Sequence, residues 1–437
     1  MPGHIRRHPL TIILLLAIAL RMGVLLALPG VFAFERTGVI QGSSAYDSYA
    51  RNLLATGIYG QQAGIPDAKL PPLYSVALAG LYALAGRGHL QLGLFHSLLD
   101  GVSLLLLAAI GRRLFPQGER AGLLAALGFA FYPYLVFQSL TLIDTSLYIC
   151  LLHAFLLLMI ELRRRESSAR AILRLSLAGG VALGLALLTR PALLPLAPLL
   201  ALWFLLRLDL RQTLRRLAPV GLVALLLLLP WALRNQQLFD AFVPMSTTSG
   251  ANLWQGNNAE TLPTLRAGFD VQWIWIPAPD GRLNARERDA ALAALALDWL
   301  GANPALIPEL LWVKFQTQWS IDVTPRRNPV GDALPEGDPV NAYSSPLFDQ
   351  IGRQVHRLYW GGLLLLALAG LAITRSRWRE VSLLWLVQLS QTLVYVIYHP
   401  STRYRAPTDP LLFLFSASAL LAIWQWWQSR RQVPATP

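Results

Sequence analysis

The chain has a single cysteine, two lysines and few charged side chains. Of its 437 residues, 14% are charged and 54% are hydrophobic, which excludes an ordinary soluble globular protein. Cys150 has no second cysteine to pair with, so an intramolecular disulfide is excluded. There is no P-loop and no glycine-rich dinucleotide fingerprint, which argues against an ATP-driven pump. The spacing of Cys and His does not indicate a zinc site, so we predict no metal ligand and leave a need for a divalent cation open.

Long apolar runs dominate what is present, and they predict an all-α integral membrane protein. Several approach or exceed 18 residues, enough for a helix to cross about 30 Å of hydrocarbon. The first run, Leu10 to about Leu28, is longer than the core of a cleaved signal peptide, so we expect a retained span. The apolar segments are 10–33, 71–86, 90–111, 121–141, 145–160, 173–188, 191–206, 217–233, 358–374, 381–398 and 410–428.

The distribution of arginine predicts the topology. Both ends of the chain are Arg-rich, and the positive-inside rule therefore favours an even number of spans with both termini in the cytoplasm. The weakest of the eleven segments is 71–86, which is short and begins with two prolines, so we interpret it as a surface or re-entrant helix. About ten transmembrane helices remain, and the net charge of +13 reflects orientation in a bacterial inner membrane rather than nucleic-acid binding.

This topology divides the chain into three parts. Residues 1–233 form an N-terminal transmembrane module with an outer-face loop at 34–89, residues 234–357 form a periplasmic loop region, and residues 358–437 form C-terminal transmembrane helices. Within the loop region we expect two helices separated at Gly301 and Pro304. The spacing of Gly180 and Gly184 indicates close helix packing rather than a site.

A short polar helix is predicted soon after the first span, in the stretch QGSSAYDSYARNLLATGIYG (41–60). Apolar side chains recur there at helical spacing from Tyr46 to Leu54, with Asp47 on the polar face. Three turns are too short to cross a bilayer, so we expect the helix to lie flat, with its apolar stripe in lipid and Asp47 directed to a reaction centre.

Polar side chains that could do chemistry collect on the predicted outer face. A carboxylate there could take a proton from an attacking hydroxyl group, and cations at headgroup depth could hold a phosphate leaving group. Each residue also has a structural alternative, since a carboxylate can cap a helix and an arginine can extend to the headgroups. Arg21, near the middle of the first span, should face the protein interior. The outer-face candidates are Asp47, Asp144, Lys69, Arg190, Arg403 and Arg405.

Several stretches resemble the polytopic GT-C glycosyltransferases, in particular the bacterial branch of glycosyltransferase family 39, which is similar to protein mannosyltransferases and lipid A aminoarabinose transferases. The matching stretches, in order, are YDSYARNLLATGIYG, KLPPLYSVALAGLYAL, GRRLF, LTLIDTSLYICLL, TRPALLPLAPLL, RNQQLFDAFVPMSTTSGANLWQGNNAE and RYRAPTDPLLF. The resemblance implies a GT-C fold and an inverting enzyme. Such an enzyme moves a sugar from a polyprenyl-phosphate donor to a lipid, glycan or protein acceptor on the outer face of the membrane.

The resemblance also implies roles for individual residues. Asp144 matches the family's second-loop acid, Lys69 matches a basic contact to the carrier phosphate, and Arg405 or Arg403 matches a late-loop phosphate contact. The family's first-loop acid is replaced here by Gly42, for which Asp47 is the nearest substitute and Glu35 a more distant one. We assign the catalytic role to Asp47 and Asp144. The substrate-binding residues are Lys69, Arg190, Arg403, Arg405, Tyr46, Asn257 and Asn258, of which the two asparagines are assigned to recognition of the acceptor.

Two other functional classes remain open. A flippase or secondary transporter for lipid-linked sugars would need charged residues within the spans, where Arg21 and Asp100 lie. A catalytically inactive membrane protein with the same fold is suggested by Gly42. A loss of activity on removing the outer-face charges would distinguish the enzyme from both.

Overall fold

The protein is all-α, as predicted from its sequence. The computed structural model describes residues 8–28, 32, 34, 44–164, 168–277, 283–324 and 346–431. Predictions that concern Arg6, Arg7, Glu35 and Gly42 lie outside these residues. The helices in chain order are α1 His8–Ala27, α2 Ser44–Thr56, α3 Pro72–Ala85, α4 His89–Leu114, α5 Gly118–Ala130, α6 Pro133–Gln138, α7 Thr145–Arg164, α8 Ala169–Thr189, α9 Leu196–Leu205, α10 Leu210–Phe239, α11 Ser249–Gly256, α12 Thr261–Ala267, α13 Ala285–Ala302, α14 Ile307–Gln318, α15 Pro346–Ile373, α16 Trp378–Ile397, α17 Thr402–Arg405 and α18 Asp409–Arg431.

Within the described residues, eight helices are long and apolar enough to cross a membrane: α1, α4, α7, α8, α10, α15, α16 and α18. Two of the ten predicted spans, 121–141 and 191–206, are instead built from shorter helices. Proline explains both interruptions, because Pro133 starts the separate helix α6, and Pro191 starts a 3₁₀ turn that precedes the ten-residue α9. Segment 71–86 is the 14-residue α3, shorter than a span, as expected.

The basic ends of several spans lie together at one end of the helix bundle. Arg163 Nη1 donates to the carbonyl oxygen of Arg379 at 3.0 Å, and Arg164 Nη1 donates to that of Arg113 at 2.7 Å. These contacts join the basic ends of α4 and α7 to the start of α16. The arginines at the ends of α4 and α7 and at the start of α16 therefore lie at one end of the bundle.

Glycine allows the closest helix contacts in the core. A Cβ atom on Gly122 of α5 would lie 2.5 Å from the carbonyl oxygen of Ala108 on α4. A Cβ atom on Gly180 of α8 would lie 2.7 Å from the carbonyl oxygen of Val220 on α10. Both distances are far below a van der Waals contact, so only glycine permits these crossings, and the packing role predicted for Gly180 is confirmed.

Arg21 is buried in the interior, as predicted for a charge near the middle of a span. Its Nε donates to Asp100 Oδ2 at 2.8 Å, and its Nη1 donates to the carbonyl oxygens of Ala17 and Ala130 at 3.2 and 3.1 Å. The pair ties α1 to α4 and to the end of α5, because an unpaired charge at this depth would be strongly unfavourable.

The helix α2 packs most of its apolar stripe on protein, which corrects the expectation that the stripe lies in lipid, although Leu54 at its end is 50% exposed. Tyr49 and Ala50 are fully buried, and Ala50 belongs to a cluster with Tyr74 and Leu78 of α3. Tyr46 meets Tyr74 edge to face, with ring centroids 4.8 Å apart. The short α3 thus supplies the apolar surface that α2 needs, and the pair lies at the end of the bundle opposite the arginine-rich ends.

The loop region contains the helices α11 to α14. A capping box at Asn284 and Glu287 starts α13, since each residue's side chain accepts a hydrogen bond from the backbone N–H of the other. The predicted division at Gly301 and Pro304 is confirmed, because α13 and α14 meet there at an angle of 87°. Residues 325–345, which we expect to form a Pro- and Gly-rich loop, lie outside the described residues.

Candidate active site

A cavity of about 640 Å³ opens at the end of the bundle opposite the arginine-rich ends. Its walls come from five loops and helix ends that are far apart in sequence: Tyr46 of α2, residues 69–71 before α3, Asp144 between α6 and α7, the turn Thr189–Pro195 after α8, and residues 394–404 from the end of α16 into α17. Residues 246–252 and Gln272 of the loop region close the remaining side. Five of the nine predicted site residues line this cavity.

Asp144 and Arg190 form a two-pronged ion pair in the cavity wall. Arg190 Nε donates to Asp144 Oδ2 at 2.8 Å, and Nη2 donates to Asp144 Oδ1 at 2.5 Å and to Thr145 Oγ1 at 2.9 Å. Burial alone would lower the pKa of Arg190, but Asp144 holds it above its ordinary value, so the guanidinium stays charged. Arg190 Nη1 is buried and has no hydrogen-bond partner in the described part of the chain, which leaves one donor available to a bound anion.

Arg403 supplies a second guanidinium with an unused donor. Its Nη2 donates to Gln272 Oε1 at 2.5 Å and to the hydroxyl of Tyr404 at 2.7 Å, while its Nε has no partner among the described residues. Burial alone would lower the pKa of Arg403, but the neighbouring Tyr404 and Asp270 raise it, so it remains a cation. Gln272 and Tyr404 therefore hold the side chain in place at the cavity wall.

Lys69 is the third cation of the cavity. The chain is fixed at this residue, because its backbone N–H donates to Asp67 Oδ1 at 3.0 Å and its carbonyl accepts from Thr248 Oγ1 at 3.3 Å. The side chain is exposed and makes no ion pair within the described ranges. Of the four charged side chains that line the cavity, the only carboxylate, Asp144, is already paired, so the cavity favours an anionic ligand.

Uncharged polar and aromatic groups complete the lining. Burial raises the pKa of Tyr46 well above its ordinary value, so its hydroxyl is a hydrogen-bond donor at neutral pH. Burial and the charges of Arg403 and Lys314 lower the pKa of His399 to about 3, so the imidazole is neutral, and its buried Nδ1 has no partner in the described structure. No group of three or more His, Cys, Asp or Glu side chains is arranged to hold a metal ion in the part of the chain that was searched.

Asp47 does not line the cavity, contrary to its predicted role. Arg87 Nε and Tyr82 donate to its Oδ1 at 2.8 and 2.9 Å, and Arg51 Nε donates to its Oδ2 at 2.9 Å. Burial alone would raise the pKa of Asp47, but these hydrogen bonds and the charges of Arg87 and Arg51 lower it overall. The carboxylate lies on the face of α2 that turns toward the end of α3, where it fastens the two helices together.

Arg405 is also remote from the cavity. It is 1% exposed, its Nε contacts Asp409 Oδ1 at 3.1 Å, and its Nη1 donates to the carbonyl oxygens of Gln318 and Ser320. The guanidinium lies 4.1 Å from the ring centre of Trp360. Of the two late-loop arginines, the structure therefore brings Arg403 into the cavity and uses Arg405 to fix the start of α18.

Asn257 and Asn258 lie beside the cavity rather than in its wall. The Nδ2 of Asn257 donates to the carbonyl oxygens of Leu253 and Ile397 at 2.7 and 3.0 Å. The Nδ2 of Asn258 donates to the carbonyl of Trp254 at 2.8 Å, and its Oδ1 accepts from the backbone N–H of Glu260. Both side chains organise the end of α11, and their role in acceptor recognition stays a prediction.

Sequence reasoning missed several cavity residues. Tyr404 stands between the two arginines of the stretch RYRAPTDP, and Tyr398 and His399 precede it in the same loop, so proximity to a recognised motif could have identified them. Asn252 lies in the matching stretch 234–260, but nothing in that stretch distinguishes it, and Gln272 lies in a part of the loop region that no periodicity or motif marks. Only the folding of that region over the bundle brings them to the cavity.

Comparison with known proteins agrees with this architecture. Residues 69–233, less than half of the chain, match a family model described as dolichyl-phosphate-mannose-protein mannosyltransferase. The fold matches the oligosaccharyltransferase of Archaeoglobus fulgidus without ligand, with a TM-score of 0.56 and 14% identity over 98% of this chain and 52% of that one. The same enzyme, AglB, in complex with an inhibitory peptide and a dolichol-phosphate matches with a TM-score of 0.55 and 14% identity over 99% of this chain and 52% of that one.

ArnT of Cupriavidus metallidurans bound to undecaprenyl phosphate aligns with a TM-score of 0.40 and 17% identity, over 90% of this chain and 76% of that one. No curated protein sequence matches the chain significantly. The chain spans about half the length of the archaeal enzyme and shares its fold over that part. The predicted resemblance is thus confirmed by the family model over residues 69–233, and over nearly the whole chain the fold is that of the archaeal oligosaccharyltransferase.

Proposed function

We propose that this protein is a membrane glycosyltransferase that moves a sugar from a polyprenyl-phosphate carrier to an acceptor hydroxyl group. The observation that carries the proposal is the cavity itself. It joins one carboxylate, Asp144, to the cations Lys69, Arg190 and Arg403, two of which have buried donors without a partner among the described residues. Transfer of a sugar from a phosphate ester to a hydroxyl group requires a group that takes the hydroxyl proton and a group that stabilises the departing phosphate.

The geometry of Arg190 supports a concerted displacement. One edge of its guanidinium holds Asp144, and Nη1 is left for a phosphate oxygen. The acceptor oxygen forms a bond to the anomeric carbon as the bond from that carbon to the phosphate oxygen breaks. The proton of the hydroxyl passes to Asp144, and the electron pair leaves with the phosphate, which Arg190, Arg403 and Lys69 neutralise. A single displacement inverts the anomeric configuration.

Asp144 can accept this proton while it remains paired with Arg190. Each carboxylate oxygen has two lone pairs, and Arg190 occupies one on each oxygen. Asp144 is therefore the proposed catalytic base, and its partner Arg190 both orients it and binds the leaving group. Asp47, saturated by Arg87, Tyr82 and Arg51, is proposed as a structural residue instead.

The donor and acceptor classes follow from the chemistry of the lining. Lys69 and Arg403 suit a phosphate at the membrane surface, while Tyr46, His399 and Gln272 offer uncharged hydrogen-bonding groups of the kind that bind sugar hydroxyls. We propose a lipid, glycan or protein acceptor. The dolichol-phosphate and peptide in one structure of AglB are ligands of that protein and support this range of classes.

The protein is proposed to lie in a bacterial inner membrane with both termini in the cytoplasm. The arginine-rich ends of α4, α7 and α16 lie together opposite the cavity, and the positive-inside rule then directs the cavity to the periplasm. A transporter is less well supported than an enzyme. The intramembrane charges on which that alternative depends, Arg21 and Asp100, are buried against each other and do not line the cavity.

The experiment that tests the proposal is release of polyprenyl phosphate from a panel of polyprenyl-phosphate sugars by the purified full chain in lipid nanodiscs. Lipid, oligosaccharide and peptide acceptors are supplied in turn. We expect release by the wild type and by Asp298→Asn, an exposed carboxylate on α13 used as the matched control, and release slower by about 10²- to 10⁴-fold from Asp144→Asn. Sugar movement across proteoliposome membranes without release of polyprenyl phosphate would refute the enzyme and favour the transporter.

A further inference from the structure

The helix α14 exposes an apolar face, which is not expected of a helix that is surrounded by water. Leu311, Trp312 and Phe315 recur on one side of the helix and are 37%, 58% and 41% exposed. The rings of Trp312 and Phe315 stack with their centres 5.7 Å apart. The opposite side, formed by Leu310, Lys314 and Gln318, is buried. The helix is therefore amphipathic with its apolar side facing out, the reverse of what a water-exposed helix shows.

The contacts of α14 fix its direction relative to the membrane. Lys314 Nζ donates to the carbonyl oxygen of Ile397 at 3.1 Å, and five residues later Trp319 Nε1 donates to Thr392 Oγ1 at 3.2 Å. Five residues forward along the segment, from Lys314 to Trp319, the contact on α16 moves five residues back, from Ile397 to Thr392. The two helices therefore pack antiparallel, and the segment descends beside a membrane-spanning helix by about 7 Å at the α-helical rise of 1.5 Å per residue.

The chain then turns and returns to the surface. Ile321 lies against Gly361 on α15, one helical turn below Arg357, which pairs with Asp322 at 2.5 Å. The backbone N–H of Thr324 donates at 2.8 Å to the side chain of Thr402, at the start of α17 beyond the outer end of α16. Residues 307–324 thus enter beside one span, turn against another, and come back toward the outer end of α16.

We propose that residues 307–324 form a re-entrant element whose face of Leu311, Trp312 and Phe315 contacts the lipid chains of the outer leaflet. We infer lipid rather than protein because this face is continuous with the membrane-facing surface of the neighbouring span. On α16, the helix that α14 packs against, Leu393 and Ile397 are about half exposed at the same depth. Trp312, at the end of such a surface, is of a residue type that forms the aromatic belt at a membrane interface. Because α13 makes an angle of 87° with α14, α13 lies along the membrane surface.

The buried side of the element reaches the edge of the cavity. Lys314 Nζ donates to Asn257 Oδ1 at 2.9 Å as well as to Ile397, the residue before Tyr398 and His399 in the cavity wall. Lys314 makes no ion pair among the described residues, burial lowers its pKa to about 7, and its Nζ binds the carbonyl end of α16 by a hydrogen bond. The lipid-contacting helix is thus fastened to the wall that carries His399.

Spin labels at single cysteines test the proposal in the full chain. Cys150 is first replaced by serine, and labels are then placed at Trp312→Cys and Phe315→Cys in nanodiscs of phosphatidylethanolamine and phosphatidylglycerol. Leu393→Cys on the span is the lipid control, and Gln61→Cys in the exposed loop after α2 is the aqueous control. The measured quantity is the ratio of collision rates with oxygen, which partitions into lipid, and with a water-soluble nickel chelate.

We expect the ratio at positions 312 and 315 to exceed that at Gln61 by the same factor as at Leu393. A ratio equal to that at Gln61 would overturn the proposal. Low collision rates with both reagents would also overturn it, since they would mean that protein covers this face. Leu311→Cys on the same face replaces either variant if it fails to fold. The readout does not use glycosyl transfer, so it stands or falls separately from the proposed enzyme activity.

Discussion

Replacing Asp144 by asparagine should separate binding of the donor from its chemistry. The side chain keeps its shape and one acceptor oxygen for Arg190, but it loses the negative charge and the ability to take a proton. A general base contributes about 10²- to 10⁴-fold to a rate, so we expect a fall of that size in kcat. Donor binding should change in the opposite direction, because the variant releases Arg190 from a competing anion.

The size of the binding effect follows from the charges in the cavity. A phosphate oxygen bound to Arg190 Nη1 would lie roughly 6 Å from the carboxylate held by the other edge of the guanidinium. At an effective dielectric constant of about 20 to 40, removing this repulsion favours binding by about 1 to 3 kcal/mol, a gain of roughly 5- to 150-fold in affinity. A residue that only held the cavity together would give the opposite result, with weaker binding and an unstable protein.

Two assays on the same preparation distinguish these outcomes. Affinity for polyprenyl phosphate is measured by titration in nanodiscs, and turnover is measured by release of polyprenyl phosphate from the donor identified in the panel. Thermal unfolding confirms that the variant is folded, and Asp298→Asn is the control for loss of one carboxylate. Unchanged kcat in a folded Asp144→Asn variant would refute the assignment of the base, and weaker binding would refute the competition between Asp144 and phosphate for Arg190.

Three further substitutions test the remaining assignments. Arg403→Gln should weaken donor binding roughly 10- to 100-fold in the same titration, the value of one or two charge-assisted hydrogen bonds. Asp47→Asn should lower the free energy of unfolding at neutral pH by about 1 to 3 kcal/mol, because Arg87 loses its partner. Since folding lowers the pKa of Asp47, its contribution is present above the ordinary value of 3.8 and is lost as the pH falls through the folded pKa. Arg21→Met should cost about 3 to 5 kcal/mol in thermal unfolding, because Asp100 is then buried without its partner.

Each of these has a matched comparison. Arg403→Lys should recover part of the affinity, and equal loss in both variants would mean that fork geometry alone matters at this position. The difference in unfolding between Asp47→Asn and wild type should shrink below pH 3.8, and a difference independent of pH would contradict the ionic role. Arg21→Met combined with Asp100→Leu should restore most of the stability lost in Arg21→Met, whereas additive losses would show that the two side chains do not interact.

Local and cumulative features of the sequence determined the class and much of the fold. Apolar run length and the placement of arginine predicted an all-α membrane protein with its basic helix ends on one face, because burial of apolar surface and the cost of moving charge across a bilayer act on every residue independently. The break at Gly301 and Pro304, the helix contact at Gly180 and the interior position of Arg21 followed from equally local rules. The prediction of ten spans was less accurate than these, because a run of apolar residues does not reveal where proline will divide it.

Only part of the candidate site could be predicted from the sequence. The sequence predicted that Asp144, Lys69, Arg190 and the loop of Arg403 lie at one face of the membrane. It did not predict which of two nearby residues would reach the cavity. Tyr46 and Asp47 are adjacent on α2, yet one lines the cavity and the other is held by Arg87. Likewise, Arg403 lines the cavity, whereas Arg405 is buried beside Asp409. Adjacent residues on a helix point about 100° apart, so their partners depend on how helices distant in sequence pack, and only the tertiary structure fixes that packing.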